Sequence, residues 1–471
     1  MQERPFKVDS GKSPPAASVR KRVRWWLIAL IFLGPLVVLW MAWFGFRVGW
    51  TLRENNGREQ MAASLFELSA DGIPIDDEDV LRQYVERTSD EDLEGWYEVF
   101  ERLQEPSFLA DFEGVRYLDP AVDVDEFDNP FPIGDDWAAA DKATAATEKH
   151  RVTIEQARQL AGAESPVRFP FIFQGTETLL PELQESRAMA RLLFCDAQVA
   201  VHLGDGERAL RDAIALGELS KHAEAIPFGI ARIVGIAYRQ QALKVIKAGV
   251  RTDLFDEKQL HRLDDDCAEH ATIGSRWQEL MLGEMSVHLG VFTDPSAAMK
   301  SASIIPARGH DAVYFIDLMQ RASEIDVADF LALHQASESL LVEVDEGPDS
   351  WLEKADRILS RLLAPPFASY AEMLINDCLQ HRLARLAIAC RLFEKRYQKL
   401  PDRADEIPEE LISLEPLRGQ RFGFLRTEEG ITVWGLHLSS EVKKITEQIP
   451  ETEGATVEFL NNRSVIWTLD D

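Results

Sequence analysis

The chain of 471 residues carries 51 Lys/Arg against 80 Asp/Glu, a formal net charge of −29 at pH 7. That surplus excludes nucleic acid as a partner, because phosphate neutralisation needs a basic face. With 46% apolar residues the chain can bury a core large enough for two or three cooperating units.

The charge is unevenly placed. Residues 1–58 hold ten Lys/Arg and three Asp/Glu, a balance of +7, which leaves 41 and 77 for the remainder, a balance of −36. Met1 to Ser18 is a tail without apolar periodicity. Behind the basic cluster Arg20, Lys21, Arg22 and Arg24 come twenty-two consecutive uncharged residues, Trp25 to Phe46. As a helix they span about 33 Å, enough to cross a hydrocarbon core of about 30 Å. The run is longer than the apolar core of a secretory signal, and bulky Trp40, Met41, Trp43 and Phe44 stand where small residues would mark cleavage. An uncleaved single-pass anchor is expected, with the lipid bilayer as its partner and Trp25, Trp26, Trp43 and Trp50 in the headgroup layers. Four basic residues lie just before the span, against Arg47, Arg53 and Arg58 after it. This bias puts residues 1–24 in the cytoplasm and the large C-terminal part outside.

From residue 47 to 175 the pattern is helical. Asp76-Asp77-Glu78 and Asp90-Glu91-Asp92 place acid at two helix starts, followed by apolar faces that include Val80 and Tyr84, then Trp96, Phe100 and Leu103. Asp119 to Trp137, with three prolines and seven acidic residues, predicts a loop. Its stretch Asp123 to Asp128 lacks the oxygen and glycine that a calcium loop needs at Phe127 and Asp128. Helix resumes over Trp137 to Ala163, and Ser165 to Gly175 reads as an extended crossing.

Residues 176–400 predict a helical bundle or short helical array. Leu192, Leu193, Ala197, Ala200 and Val201 keep helical spacing up to the turn Gly204-Asp205-Gly206, and Ala209, Leu210, Ala213 and Ile214 continue beyond it. Residues 293–320, with Pro295, Pro306 and Gly309, read as looser, and helices are expected at 322–345, 349–363 and 367–398, the last ended by Pro401. Cys195, Cys267, Cys378 and Cys390 fall at apolar helical positions without a Cys-x-x-Cys pair, and Cys378 and Cys390 lie about 18 Å apart along one helix. Buried free thiols are expected. Residues 401–471 predict a small antiparallel sheet: a hairpin over Phe422–Leu436, a second over Val457–Leu469 turning at Asn461-Asn462, and a helix over Ser440–Gln448. The fold class is therefore mainly α, with a small C-terminal sheet.

A resemblance supports this architecture. Leu179 to Leu183, Leu192-Leu193, Asp196-Ala197, Leu203-Gly204-Asp205, Ala209 to Asp212, Phe393 to Tyr397, Leu400-Pro401 and Ile407 to Leu411 resemble a group of uncharacterised, membrane-anchored helical proteins of planctomycete-type bacteria. The resemblance supports the architecture and implies no activity; with the charge bias, a single-pass protein of a bacterial inner membrane is expected, its C-terminal domain periplasmic or exterior. The Gly204-Asp205 turn looks like one tetratricopeptide unit, and 384–436 is similar to the helix-then-sheet body of type II secretion pseudopilins.

His-Glu-x-x-His, Gly-x-Ser-x-Gly and dinucleotide glycine patterns are absent. Gly11-Lys12-Ser13 lacks the first glycine of a phosphate loop, and Ser440 to Lys443 fits Ser-x-x-Lys by chance. Glu284/His288 and Asp266/His270 have the i, i+4 spacing of a metal edge, for which a surface ion pair or a satisfied histidine is the plainer reading. No residue is assigned a catalytic, cofactor-binding or metal role. The expectation is a non-enzymatic envelope scaffold that binds a protein or peptide. The alternatives are an envelope enzyme acting on cell-wall polymer through paired carboxylates, or a secretion or pilus-assembly component.

Overall fold

The computed structural model describes residues 17–75, 77–85, 90–115, 137–170, 178–293, 308–347, 354, 357–408, 423–427, 430–436 and 464–470. The acidic segment expected as a loop and the expected helix Ser440–Gln448 lie outside these residues, as do the strand at 457–460, the Asn461-Asn462 turn and Gly11 to Ser13.

The protein is mainly helical. Its first element, α1, is one helix from Ala17 to Ala70, 54 residues long. This corrects two expected boundaries: the helix begins inside the N-terminal tail and does not stop at Phe46. No breaker separates residues 47 and 70, and Glu54 and Arg58 pair at 3.1 Å one turn apart, which suits a helix in water. Among the described residues α1 is the one helix long and apolar enough to cross a membrane. Leu36, Trp40 and Phe44 are more than half exposed along it, whereas Met61 and Leu65 pack on a core and Leu68 is fully buried. Gly72, at φ +77, ends the helix. The Ile73 N–H then reaches back to the Leu68 carbonyl at 3.0 Å and satisfies one of the last carbonyls.

Helices α2 (Asp77–Val85), α3 (Asp90–Gln104), α4 (Pro106–Asp111), α5 (Ala140–Lys149) and α6 (Arg151–Ala161) follow. The long helices α7 (Pro181–Leu203), α8 (Gly206–Glu224) and α9 (Gly229–Arg251) fold back on one another through short connections. Asp205 caps α8 by accepting the Arg208 N–H at 3.1 Å. Next come α10 (Glu257–His270), α11 (Arg276–Thr293), α12 (Arg308–Ser323), α13 (Phe330–Glu346), α14 (Ile358–Leu363) and α15 (Phe367–Tyr397). Residues 308–320 are therefore helical rather than loose. Gly309 is needed for a close approach, not as a breaker: a Cβ there would lie 2.2 Å from the Gly57 carbonyl carbon and 2.4 Å from the Arg58 nitrogen. α14 is shorter than the expected helix at 349–363. It is held from outside, since buried Asp311 on α12 accepts the Leu359 and Ser360 N–H groups at 2.8 and 2.9 Å.

Two hydrophobic clusters result. One gathers α2 to α10, the C-terminal half of α15 (Leu383 to Phe393) and the strands. The other gathers the end of α1, most of α11, α12 to α14 and the N-terminal half of α15 (Phe367 to Leu379). The 31-residue helix α15 runs through both. All four cysteines are free and buried.

At the C-terminus, strands β1 (Gly423–Thr427), β2 (Gly430–Leu436) and β3 (Ser464–Asp470) lie in the order β1-β2-β3. Phe424 pairs with Val433, and Val433 with Trp467. β3 thus borders the first hairpin directly. Ile431, Val433 and Leu469 are buried in the first cluster, and Phe424 packs half-buried against it.

Candidate functional site at the junction of the two cores

A chain with this much acid must neutralise any carboxylate it buries. It does so where the two clusters meet. Asp377 lies on α15 between Leu374 and Leu383, and α9 brings Arg239 to it. Neither side chain is exposed, and Arg239 Nη2 stands 2.8 Å from Asp377 Oδ2. Arg276, at the start of α11, adds a second guanidinium at 2.9 Å. Burial alone would raise the Asp377 carboxyl, but Arg239, His381 and Arg276 outweigh it and hold it below the usual range. His381 donates from Nδ1 to the Asp377 carbonyl at 2.8 Å, and the His270 ring lies 5.1 Å from the His381 ring. Burial pushes His381 down to about 4 and His270 down to about 2, so both rings are neutral.

The same network continues outward. Arg239 Nη1 reaches Glu224 Oε1 at 2.6 Å and Ser220 Oγ at 3.0 Å, both from the end of α8. Glu224 also faces Arg232 at 3.7 Å, and Arg232 donates to Glu279 at 2.6 Å. Glu224, Arg232 and Glu279 line a cavity of about 530 Å³, whose lip is the Asp71–Pro74 turn at the end of α1. Val80, Tyr84 and Arg168, together with Leu282, Gly283 and Ser286 of α11, also line it. Gly283 is required here, because a Cβ would sit 2.8 Å from the Pro227 carbonyl oxygen.

A glycosidase-type acid needs a carboxyl with a raised pKa. Burial would raise Glu279, but Arg232 and Ser275 outweigh it and lower its pKa. Arg232 faces both carboxylates, and its bond to Glu279 leaves that carboxyl unsuited to deliver a proton.

The residue pairs singled out by spacing serve structure instead. Glu284 Oε1 accepts the Gly229 N–H at 2.6 Å, capping α9, while His288 donates from Nδ1 to the Glu284 carbonyl at 2.7 Å. His270 turns toward His381, whereas the Asp266 carboxylate lies against Gly217. Among the described residues, no group of three or more His, Cys, Asp and Glu is placed to hold a metal ion.

Asp196 and Asp212 form a second buried network. Arg158 binds Asp212 through Nε at 2.7 Å and also binds Asp196, which Arg208 meets through Nε at 2.9 Å. Burial, then the Asp196 charge, raises Asp212 well above the usual range. The network pins α6, α7 and α8 together.

Sequence reasoning missed Arg239 and Asp377. The available signal was a lone charge on the apolar face of a long helix: Arg239 between Ile236 and Leu243, and Asp377 between Leu374 and Leu379. The chain matches no family model, no curated protein and no solved structure.

Proposed function

We propose that this is a single-pass membrane scaffold whose helical body binds a protein or peptide outside the cytoplasm, through the cavity at the junction of its cores. The continuity of α1 carries the reading. One unbroken helix presents apolar side chains from Leu36 to Val48 and then buries Leu68 in the body. The apolar segment is thus continuous with the turns that pack on the body, which supports an anchor over a removable leader. From Phe46 to Ala70 the helix rises about 36 Å, which on this reading would hold the cavity clear of the hydrocarbon edge. N-terminus in and body out follows from the basic bias, and the bacterial inner membrane from the resemblance.

Two alternatives carry less support. Wall-polymer hydrolysis would use a carboxyl with a raised pKa, while Arg232 and Ser275 lower that of Glu279. Pilus or secretion assembly would use a free sheet face, while Ile431 and Val433 bury one face of β2 against the body. The test is a photo-crosslinking residue placed at Ile73, on the cavity lip, and at exposed Leu203 as control. Specific protein adducts in cells at Ile73 alone are expected. Equal labelling at both positions, or none at Ile73, refutes the recognition role.

A further inference from the structure

We propose that Asp212 is held as a neutral acid that donates its proton to ionised Asp196, and that this shared proton is a clasp of α6 on α7 and α8 that opens in alkali. A count of donors separates the two carboxyls. Buried Asp196 takes three charge-assisted bonds: Arg158 Nη2 and, at 2.9 Å, Arg208 Nε reach its Oδ2, and Arg208 Nη2 reaches its Oδ1. Asp212 is fully buried and takes one, from Arg158 Nε to Oδ1 at 2.7 Å. Its Oδ2 is buried without a hydrogen-bond partner among the described residues. An ionised carboxylate at that place would leave one charged oxygen with neither water nor a donor, a costly state. Protonated, the same oxygen becomes an O–H donor, and Asp196 is the acceptor within hydrogen-bonding reach.

The surroundings favour that state. One edge of the Arg158 guanidinium, Nε and Nη2, meets one oxygen of each carboxyl, so the two groups stand side by side. The cations on the pair are Arg158 of α6 and Arg208 of α8, and each also serves an outer glutamate. Glu155 of α6 takes Arg158 at 2.6 Å and Arg211 of α8 at 3.1 Å, while Glu148 of α5 takes Arg208 at 3.2 Å. Cys195 of α7 neighbours both acids, and burial raises its thiol, so it adds no charge. Two shared guanidinium groups do not offset two buried carboxylates, and burial, then the Asp196 charge, keeps Asp212 above the usual carboxyl range. In the unfolded chain it titrates near 3.9. The proton's contribution to stability is therefore full below about pH 4 and is lost as pH rises through the folded-state value. In alkali, hydroxide takes the proton as water and leaves two like charges side by side. The short turn at Gly204-Asp205 joins α7 to α8, so α6, which carries Arg158, is the element that gives way.

The experiment uses the full chain in detergent, with and without Asp212→Asn, both carrying Asp266→Asn so that this other buried acid is silent. At pH 6 the infrared difference between the two chains should contain the C=O band of a protonated carboxylic acid, and raising the pH should abolish it reversibly. Hydrogen exchange, read by mass spectrometry, supplies the structural half. On going to alkali, exchange in α6 should accelerate more in the chain with Asp212 than in the Asn variant, which has no proton to lose and keeps an N–H donor toward Asp196. Exchange in α13, on the other core, corrects both chains for base catalysis. If Asp212→Asn misfolds, carboxyl-carbon-13 aspartate in the Asp266→Asn chain decides, since a protonated aspartate band with the isotope shift is expected at pH 6. Absence of a protonated aspartate band, or equal alkaline acceleration of α6 in the two chains, overturns the proposal.

Discussion

Arg239 on α9 and Asp377 on α15 meet at 2.8 Å with neither side chain exposed, at the plane where the two hydrophobic clusters abut. The pair ties helices of two cores together and, through Glu224, forms the floor behind the cavity. Removing one member leaves the other charged and buried. Asp377→Ala should therefore destabilise the protein by about 3–5 kcal/mol, whereas replacing both residues by apolar ones of similar volume should recover most of that loss. Denaturant unfolding of the three proteins is the measurement. A loss below about 1 kcal/mol for the single variant would show that the pair is not desolvated as described.

The helix crossing at Gly57 and Gly309 makes a second prediction. A Cβ at Gly309 meets backbone atoms of α1, which cannot rotate away. Gly309→Ala should cost about 1–3 kcal/mol as the two helices separate. Gly49→Ala, whose Cβ meets nothing within 4 Å, should be close to neutral. Thermal unfolding in detergent compares them, and equal melting temperatures would remove the crossing from the account.

Acid and base act differently on Asp266. Burial, then Glu218, pushes its carboxyl up to about 7, while in the unfolded chain it titrates near 3.9. Between those values the folded state keeps a proton that the unfolded state releases. This contribution is full below about pH 4 and is lost as pH rises through 7. Asp266→Asn stays neutral throughout, so its stability gain over the parent should be larger at pH 8.5 than at pH 4.5. Melting temperatures at the two pH values decide the matter. An equal or reversed difference contradicts it.

Helix type and order were largely legible from periodicity, because apolar stripes such as Leu386, Cys390 and Phe393 do face a core. The first C-terminal hairpin was legible from its alternation around Glu428-Glu429-Gly430. Misplaced boundaries have physical causes. Gly309 looks like a breaker in sequence but serves a backbone contact with Gly57, made by residues far apart in the chain. α1 overran its expected end because the polar stretch after Phe46 is held by an i, i+4 ion pair, which apolar counting does not register. The candidate site was illegible for a related reason. Asp71, Glu224, Arg232 and Glu279 come from four separate segments, and among 80 acidic residues nothing local distinguishes them.

The proposed uncleaved anchor, carrying the whole body outside the cytoplasm, is tested by tagging both ends, washing membranes with alkaline carbonate and digesting intact spheroplasts with protease. Both tags should stay with the washed membranes on one chain, and protease should remove the C-terminal tag while the N-terminal tag survives until the bilayer is broken. A C-terminal tag recovered in the soluble fraction, or protected until lysis, contradicts it.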